Sequence, residues 1–125
     1  MRRPRIGFAQ KLRYVSRHLD AGELSAMPTF IASYDLKETR PDPHQVFIEK
    51  AEKRGWSVWI KSSDDKWYRL PNTTLEGTFD TREEAAAALK ATRADTEEEI
   101  GIRVTMEKWI VAQYSGASFN SDEQQ

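Results

Sequence analysis

The sequence of 125 residues predicts one α+β domain, in which four antiparallel strands form a sheet and two helices cover one of its faces. Three observations lead to this fold class. Short segments with alternating apolar and polar residues are typical of half-buried strands. Two other segments combine a helix-start signal with apolar residues at helical spacing. Their order along the chain is strand, helix, strand, strand, helix, strand, which is the split βαβ arrangement.

The first strand is predicted in residues 29–36, and the first helix follows it closely. The strand reads as buried, yet it carries one carboxylate, Asp35, at its C-terminal end. Because burying a charge is costly, an aspartate in a buried strand indicates a specific structural or functional role. The pair Asp42-Pro43 predicts a helix start, with Asp42 as N-cap and Pro43 at the first helical position, and Gly55 predicts the helix end.

The second strand is predicted in residues 56–61, where Trp56, Val58 and Ile60 alternate with other residues. Trp59 has the opposite parity, so we expect it to point away from the helices. Three interpretations of Trp59 remain open. It fills a dimer interface or covers a sheet edge, it forms a stacking platform for unpaired bases, or it packs against an amino-terminal helix.

The remaining elements follow in the second half of the chain. Residues 66–70 are predicted to pair back as a short extension, and residues 73–79 form the third strand. The third strand has no aromatic pair at stacking positions, which disfavours a base platform. A capping box in residues 81–84 begins the second helix, which runs to about Glu99. Residues 102–111 alternate again and form the last strand.

This order of elements predicts a ferredoxin-like βαββαβ sandwich, a four-stranded antiparallel sheet with two helices on one face. Right-handed crossovers place the first and third strands in the centre. The other face of the sheet is not covered by helices, so we expect it either to be polar or to be covered by a bound partner or ligand. The predicted core residues are Phe30 or Ile31, Phe47, Ile60, Leu75, Phe79, Leu89, Val104 and Val111.

Both ends of the chain differ in character from the predicted domain, which spans residues 27–114. Residues 1–26 form a basic extension, helical or disordered, with six basic against two acidic residues. Three interpretations remain open: a helix docked on the body or exchanged with a partner, a stretch upstream of a true start at Met27, or a basic arm for nucleic acid or a membrane surface. Residues 115–125 are polar and aperiodic, which predicts a disordered tail.

Composition excludes several kinds of site. The chain has no cysteine, which excludes disulfides and thiolate zinc sites, and its two histidines are too few to indicate a metal site. No apolar run approaches the roughly 20 residues of a membrane span, so we expect a cytoplasmic protein. Residues 27–125 carry thirteen basic and eighteen acidic residues, and their net charge of −5 disfavours avid non-specific binding to nucleic acid. No phosphate loop, dinucleotide fingerprint or nucleophile elbow is present.

Asp35 is the first candidate functional residue, and it has two interpretations. It is a turn residue that accepts backbone amides from Lys37 or Glu38. Alternatively, it binds a divalent cation or handles a proton during phosphodiester cleavage. A two-fold dimer would bring the same aspartate from both chains and so supply a pair of carboxylates.

Basic residues near this strand are the candidate nucleic-acid contacts. Lys37, Arg40, Lys66 and Arg69 either contact phosphates or are solvated surface charges. His44, in the first turn of the first helix, is either a general acid or base or a surface histidine.

Residues 27–113 resemble small ferredoxin-like proteins related to the CRISPR adaptation nuclease subunit, a group that includes the GhoS-type antitoxins of toxin–antitoxin systems and the SinR-like proteins. The resemblance rests on residues 27–36, with Tyr34-Asp35 near the end of the opening strand, and on residues 69–74, a polar entry into the third strand. It implies a homodimer with Asp35 near the dimer axis, and a metal-dependent endonuclease activity that uses Mg²⁺ or Mn²⁺.

We therefore expect a nucleic-acid-associated protein, either a metal-dependent endoribonuclease that cleaves or binds RNA or DNA, or an antitoxin-like protein with a toxin or other protein partner. The surplus of tryptophan, four in this chain, also favours a homodimer. The alternative is a non-catalytic dimeric protein-interaction module, whose acidic body and aromatic patch engage another protein.

Overall fold

The structure, a computed structural model, describes residues 27–125. The basic extension predicted in residues 1–26 lies outside the described residues. Two helices and six strands follow one another along the described part of the chain. In order they are β1 (Thr29–Leu36), α1 (His44–Lys53), β2 (Trp56–Ser57), β3 (Trp59–Lys61), β4 (Trp67–Arg69), β5 (Thr74–Thr78), α2 (Arg82–Ile100) and β6 (Met106–Tyr114).

Four of these strands form one sheet in the order β2-β5-β1-β6, and every neighbouring pair in it is antiparallel. The predicted α+β class, with two helices and a four-stranded antiparallel sheet, is therefore confirmed. A second, two-stranded sheet consists of β3 and β4. No helix in residues 27–125 combines the length and the apolar character needed to cross a membrane.

The core lies between the four-stranded sheet and the helices. In β1 the side chains of Phe30, Ala32 and Tyr34 are buried, and the Tyr34 ring centroid is 4.5 Å from that of Phe47 in α1. Leu89 of α2 belongs to the same cluster. The buried members of the predicted core are Phe30, Phe47, Ile60, Leu75, Phe79, Leu89 and Val104, whereas Val111 is partly buried.

Residues 56–61 do not form one alternating strand, so that prediction is wrong. The chain changes sheets at Val58, whose carbonyl oxygen accepts a hydrogen bond from the backbone N–H of Leu70 at 2.8 Å. At the break, the Ser57 hydroxyl accepts the backbone N–H of Trp59 at 3.0 Å. Residues 56–60 are all buried, so this segment has no exposed face and no alternation of buried and exposed side chains. Trp59 is accordingly only 3% exposed and part of the core, not directed away from it.

Helix α1 begins one residue later than predicted. Pro43 is the N-cap, and Asp42 lies just outside the helix. The Asp42 carboxylate still accepts the backbone N–H of His44 at 2.9 Å, so it satisfies one of the free amides of the first turn. Gly55 follows the end of the helix with a φ of +100°, a conformation that favours glycine.

Helix α2 matches its predicted signals, but the strand after it begins later than expected. The Thr81 hydroxyl accepts the backbone N–H of Glu84 at 3.0 Å, and Gly101 ends the helix with a φ of +83°. The last strand begins at Met106 rather than at residue 102. Residues 103–105 instead return along α2, because the Glu97 carboxylate accepts the backbone N–H of Val104 at 2.9 Å.

The C-terminal residues, predicted to be a disordered tail, lie along β4 in the structure. The backbone N–H of Arg69 donates to the Glu123 carbonyl at 2.9 Å, and that of Gln125 donates to the Trp67 carbonyl at 3.1 Å. The Phe119 ring also lies against Tyr68, with 6.0 Å between their centroids. The free edge of β4 offers backbone groups that the tail can pair with, which composition alone does not reveal.

Candidate functional site on the outer face of the sheet

The face of the four-stranded sheet turned away from the helices, here called the outer face, carries the odd-numbered residues of β1. Directly opposite residues of neighbouring strands share a face. Ile31 is opposite Ala112, and Ser33 is opposite Ile110, whose side chain is 61% exposed. Ile31 was an alternative core residue to Phe30, and the register places it on the outer face instead. The β1–β6 half of this face therefore carries a short strip of three apolar residues, Ile31, Ala112 and Ile110, beside the polar Ser33, with further polar residues at one end.

Asp35 lies at the polar end of this strip, next to last in β1 and opposite Lys108 of β6. Its predicted position at the C-terminal end of the strand is confirmed, and the residue is exposed, so no buried charge has to be compensated there. The expected turn bond from Lys37 is not formed either, since the Lys37 backbone N–H donates to the Thr105 carbonyl at 2.9 Å. The strand register shifts immediately after Asp35. The carboxylate is thus held on a rigid strand and open to solvent.

The four predicted phosphate contacts lie on different elements. Lys37 and Arg40 lie in the loop after β1, Lys66 lies in the turn between β3 and β4, and Arg69 is in β4. In residues 27–125 no hydrogen bond or ion pair joins Asp35 to any of the four.

Arg69 instead acts on Tyr34, whose side chain faces the helices. Burial raises the pKa of the Tyr34 phenol to about 12, and the nearby Arg69 charge works against that rise. Arg69 thus interacts electrostatically with a helix-facing residue of β1, whereas Asp35 is on the outer face.

Metal ligands are sparse around Asp35. Across residues 27–125 there is no group of three or more histidine, aspartate or glutamate side chains that could hold a metal ion. The structure places one carboxylate, that of Asp35, at this position, and Mg²⁺ is usually bound through one or two carboxylates together with water and substrate phosphates. The predicted Mg²⁺ or Mn²⁺ thus stays a prediction.

His44 belongs to the start of α1. Its Nδ1 atom is 2.7 Å from the Asp42 carboxylate, and both side chains are substantially exposed. The backbone and side-chain hydrogen bonds from His44 lower the pKa of Asp42. This pair stabilises the first turn of the helix, in agreement with the surface-histidine interpretation.

The distribution of tryptophan differs from the sequence-based expectation. Trp56 and Trp59 are buried, and Trp67 packs against the core from the second sheet. None of the three lies exposed on the outer face, so the surplus of tryptophan does not support a dimer there. Trp109 is the exposed member, at 39%, and the register pairs it with Tyr34 on the helix-facing side.

A groove between α2 and β6 is the feature that the sequence reasoning missed. Its volume is about 500 Å³, and Lys90, Arg93, Arg103 and Trp109 are among its lining residues. The Lys90 ammonium lies 5.4 Å from the centroid of the Trp109 ring. These residues are spread over twenty positions of the sequence, and only the packing of β6 beside α2 brings them together. In the sequence, Trp109 was visible only as one of four tryptophans, without any sign of its exposure.

Two of the glutamates at the end of α2, Glu97 and Glu99, also have defined partners. The Glu97 carboxylate accepts the Val104 N–H, which lowers its pKa most, and an Arg93 guanidinium N–H at 2.9 Å, which lowers it further. Glu99 forms an ion pair with Lys50 of α1 at 2.6 Å. These two glutamates therefore fasten α2 to the following loop and to the neighbouring helix.

Comparison of the chain with protein-family models, with curated proteins and with solved structures finds no match in any of the three.

Proposed function

We propose that the protein is a ferredoxin-like, nucleic-acid-associated homodimer of the antitoxin or CRISPR-adaptation type, in which Asp35 of the outer face is the residue that matters most. The sheet order β2-β5-β1-β6 supports the ferredoxin-like part of the proposal, since the strands that precede the two helices, β1 and β5, are the central ones.

The position of Asp35 is the observation that carries the functional part. Its carboxylate is exposed on a central strand, where the backbone is fixed by pairing on both sides. The apolar strip beside it, which includes the exposed Ile110, is the kind of surface that a second copy covers in a two-fold dimer. Such a pairing would bring two Asp35 side chains to one place and give the paired carboxylates that one chain lacks.

A divalent cation held by the two aspartates would polarise a phosphodiester and activate water. In that arrangement the role of each chain is to supply one carboxylate at a fixed position. Lys108, opposite Asp35, and Lys37, two residues further along, would supply positive charge for the phosphate backbone. These local charges oppose the net charge of −5 of residues 27–125.

The test is incubation of the purified protein with labelled single- and double-stranded RNA and DNA, with and without Mg²⁺ or Mn²⁺. Asp35→Asn is compared with Asp122→Asn, a matched change at an exposed aspartate near the C-terminus. Cleavage that needs metal, is lost in Asp35→Asn and persists in Asp122→Asn would support the nuclease. Equal cleavage by both variants would eliminate the role of Asp35.

The second candidate function is a non-catalytic dimeric protein-interaction module. Two observations favour it: one chain holds no metal-binding group within its described residues, and Ile110 is the most exposed large apolar side chain there. This candidate predicts that Ile110→Lys abolishes dimers and partner binding, while no nucleic acid is cleaved by the wild type. Sedimentation velocity of the wild type and of Ile110→Lys measures the dimer directly, and a wild-type monomer of 14.4 kDa at high concentration would contradict both candidates.

A further inference from the structure

The groove between α2 and β6 concentrates positive charge in a body that is otherwise acidic. Lys90 and Arg93 come from the helix, and Arg103 comes from the loop that leads into β6. The one carboxylate among the lining residues is that of Glu97. Three cations against one carboxylate give a local charge of +2, opposite in sign to that of residues 27–125 as a whole.

Arg93 and Glu97 are bonded to each other and to the loop before β6, so they shape the groove and are not free to bind a ligand. Arg93 donates to the Glu97 carboxylate at 2.9 Å and to the Val104 carbonyl at 3.0 Å, and Glu97 also accepts the Val104 N–H. This clamp holds the loop against α2. Lys90 and Arg103 have no carboxylate within 4 Å in the described part of the chain, so they are the cations open to a ligand.

Trp109 forms the aromatic wall of the groove. Its indole ring is 39% exposed, although the ring lies on the helix-facing side of the sheet. The Lys90 ammonium lies over this ring at 5.4 Å, and Lys90 is itself exposed. Because an exposed cation–π contact is weak, the ammonium can leave the ring for a phosphate at little cost.

We propose that this groove binds a nucleoside phosphate, either free or as one nucleotide of a single strand. The base lies against Trp109, and Lys90 and Arg103 contact the phosphate. Aromatic rings beside cations are the usual means of holding unpaired nucleotides. The volume of about 500 Å³ falls within the range of small-molecule sites.

The combination of the Trp109 ring with the Lys90 and Arg103 cations favours a nucleoside phosphate over an inorganic anion or an uncharged aromatic molecule. An inorganic anion would use Lys90 and Arg103 but gain nothing from the indole ring. An uncharged aromatic molecule would use the ring and leave both cations without a partner. Groove binding does not depend on Asp35, since that carboxylate is on the outer face and the groove is beside α2.

The test is fluorescence anisotropy of a fluorescein-labelled ten-nucleotide oligouridylate titrated with the full chain. Lys90→Gln and Arg103→Gln should each weaken binding and lower the slope of log affinity against log salt by about 1, since each removes one phosphate contact. Trp109→Leu should weaken binding by about tenfold, and Trp109→Phe should restore most of it, because phenylalanine keeps a stacking surface.

Arg82→Gln is the matched control, because Arg82 is an exposed cation on the same helix about 12 Å from Lys90. It should leave binding within about twofold of the wild type. Unlabelled UMP, unlabelled oligouridylate and inorganic phosphate complete the design as competitors. Displacement by UMP at low concentration identifies a free nucleotide as a ligand. Displacement only by unlabelled oligouridylate identifies the strand, and both results support the site.

Four outcomes would overturn the assignment: absence of oligonucleotide binding, equal weakening by Arg82→Gln and Lys90→Gln, unchanged binding in Trp109→Leu, or competition by inorganic phosphate as strong as that by UMP. Circular dichroism of each variant confirms that the fold is kept. Asp35→Asn, measured in parallel, should bind the oligonucleotide like the wild type, so loss of cleavage and loss of groove binding are separate results.

Discussion

Gly77 lies at a crowded point of the sheet, and its replacement by alanine is a sharp test of the packing described above. The residue is in the central strand β5, opposite Phe30 on one side and Trp56 on the other. A Cβ atom at this position would lie 2.7 Å from a ring carbon of Phe79 and 2.9 Å from the carbonyl oxygen of Gly55. Ordinary contacts begin at 3.4 Å, so both neighbours must move.

The expected cost follows from which atoms have to move. The Gly55 carbonyl is backbone at the end of α1, and the Phe79 ring is fixed against Trp56 with 4.8 Å between their centroids. Overpacking of this kind costs about 1–3 kcal/mol. The reduced freedom of the unfolded chain returns about 0.4–1 kcal/mol. We therefore expect Gly77→Ala to lower the free energy of unfolding by about 1–2 kcal/mol and the melting temperature by about 5–10 °C.

Two other glycines provide controls in the same assay, thermal and urea unfolding followed by circular dichroism. Gly116→Ala adds a Cβ that meets nothing within 4 Å, and we expect no loss of stability. Gly101→Ala also meets nothing, but its φ of +83° should cost about 1 kcal/mol through backbone strain alone. Melting temperatures of Gly77→Ala and Gly116→Ala that agree within error would refute the packing around β5.

Further predictions concern the core, the stability of the fold at acid pH and the contact between the two helices. Leu89→Ala, at a fully buried site, should cost about 2–5 kcal/mol in urea unfolding. The Glu97 carboxyl has a folded pKa below its ordinary value of 4.5, so its contribution is present above that pH and is lost as the pH falls through the folded value. Glu97→Gln should therefore be less stable than the wild type at pH 7, and the difference should shrink at pH values below 4.5. Lys50→Met, which removes the ion pair to Glu99 but keeps the stem, should change the melting temperature by no more than about 2 °C.

Much of the fold could be predicted from local signals. The capping threonine at position 81 and the glycine at position 101 are set by short-range hydrogen bonding and backbone conformation, and both fall where the sequence places them. The alternation in β1 and β5 reports burial directly, because each of those strands has one face against the helices. These elements need no long-range information.

The segment around Trp59 could not be predicted in the same way. Alternation assumes that a strand has one buried and one exposed face, and the chain here passes from one sheet into another. The late start of β6 has a similar cause. Residues 103–105 have the composition of a strand, yet a tertiary bond from Val104 to Glu97 of the preceding helix holds them as a loop. Both errors come from contacts between elements rather than from local propensity.

The candidate site was also predictable only where local signals decide it. The position of Asp35 near the end of a strand follows from the sequence, whereas its exposure depends on which face of β1 the helices cover. The groove beside α2 depends on the pairing of β6 with β1, which places Trp109 next to Lys90. No spacing along the chain encodes that contact.

Both proposals require that this protein associates with single-stranded nucleic acid through defined residues. The most direct measurement is a titration of the ¹⁵N-labelled full chain with ten-nucleotide oligouridylate, followed by Mn²⁺, with amide and indole signals monitored by NMR. The account predicts that the oligonucleotide shifts the Trp109 indole signal and the amides of Lys90 and Arg103. It also predicts that Mn²⁺ broadens signals around Asp35. An oligonucleotide that shifts no signal at millimolar concentration, together with Mn²⁺ broadening that is no stronger at Asp35 than at Asp122, would contradict it.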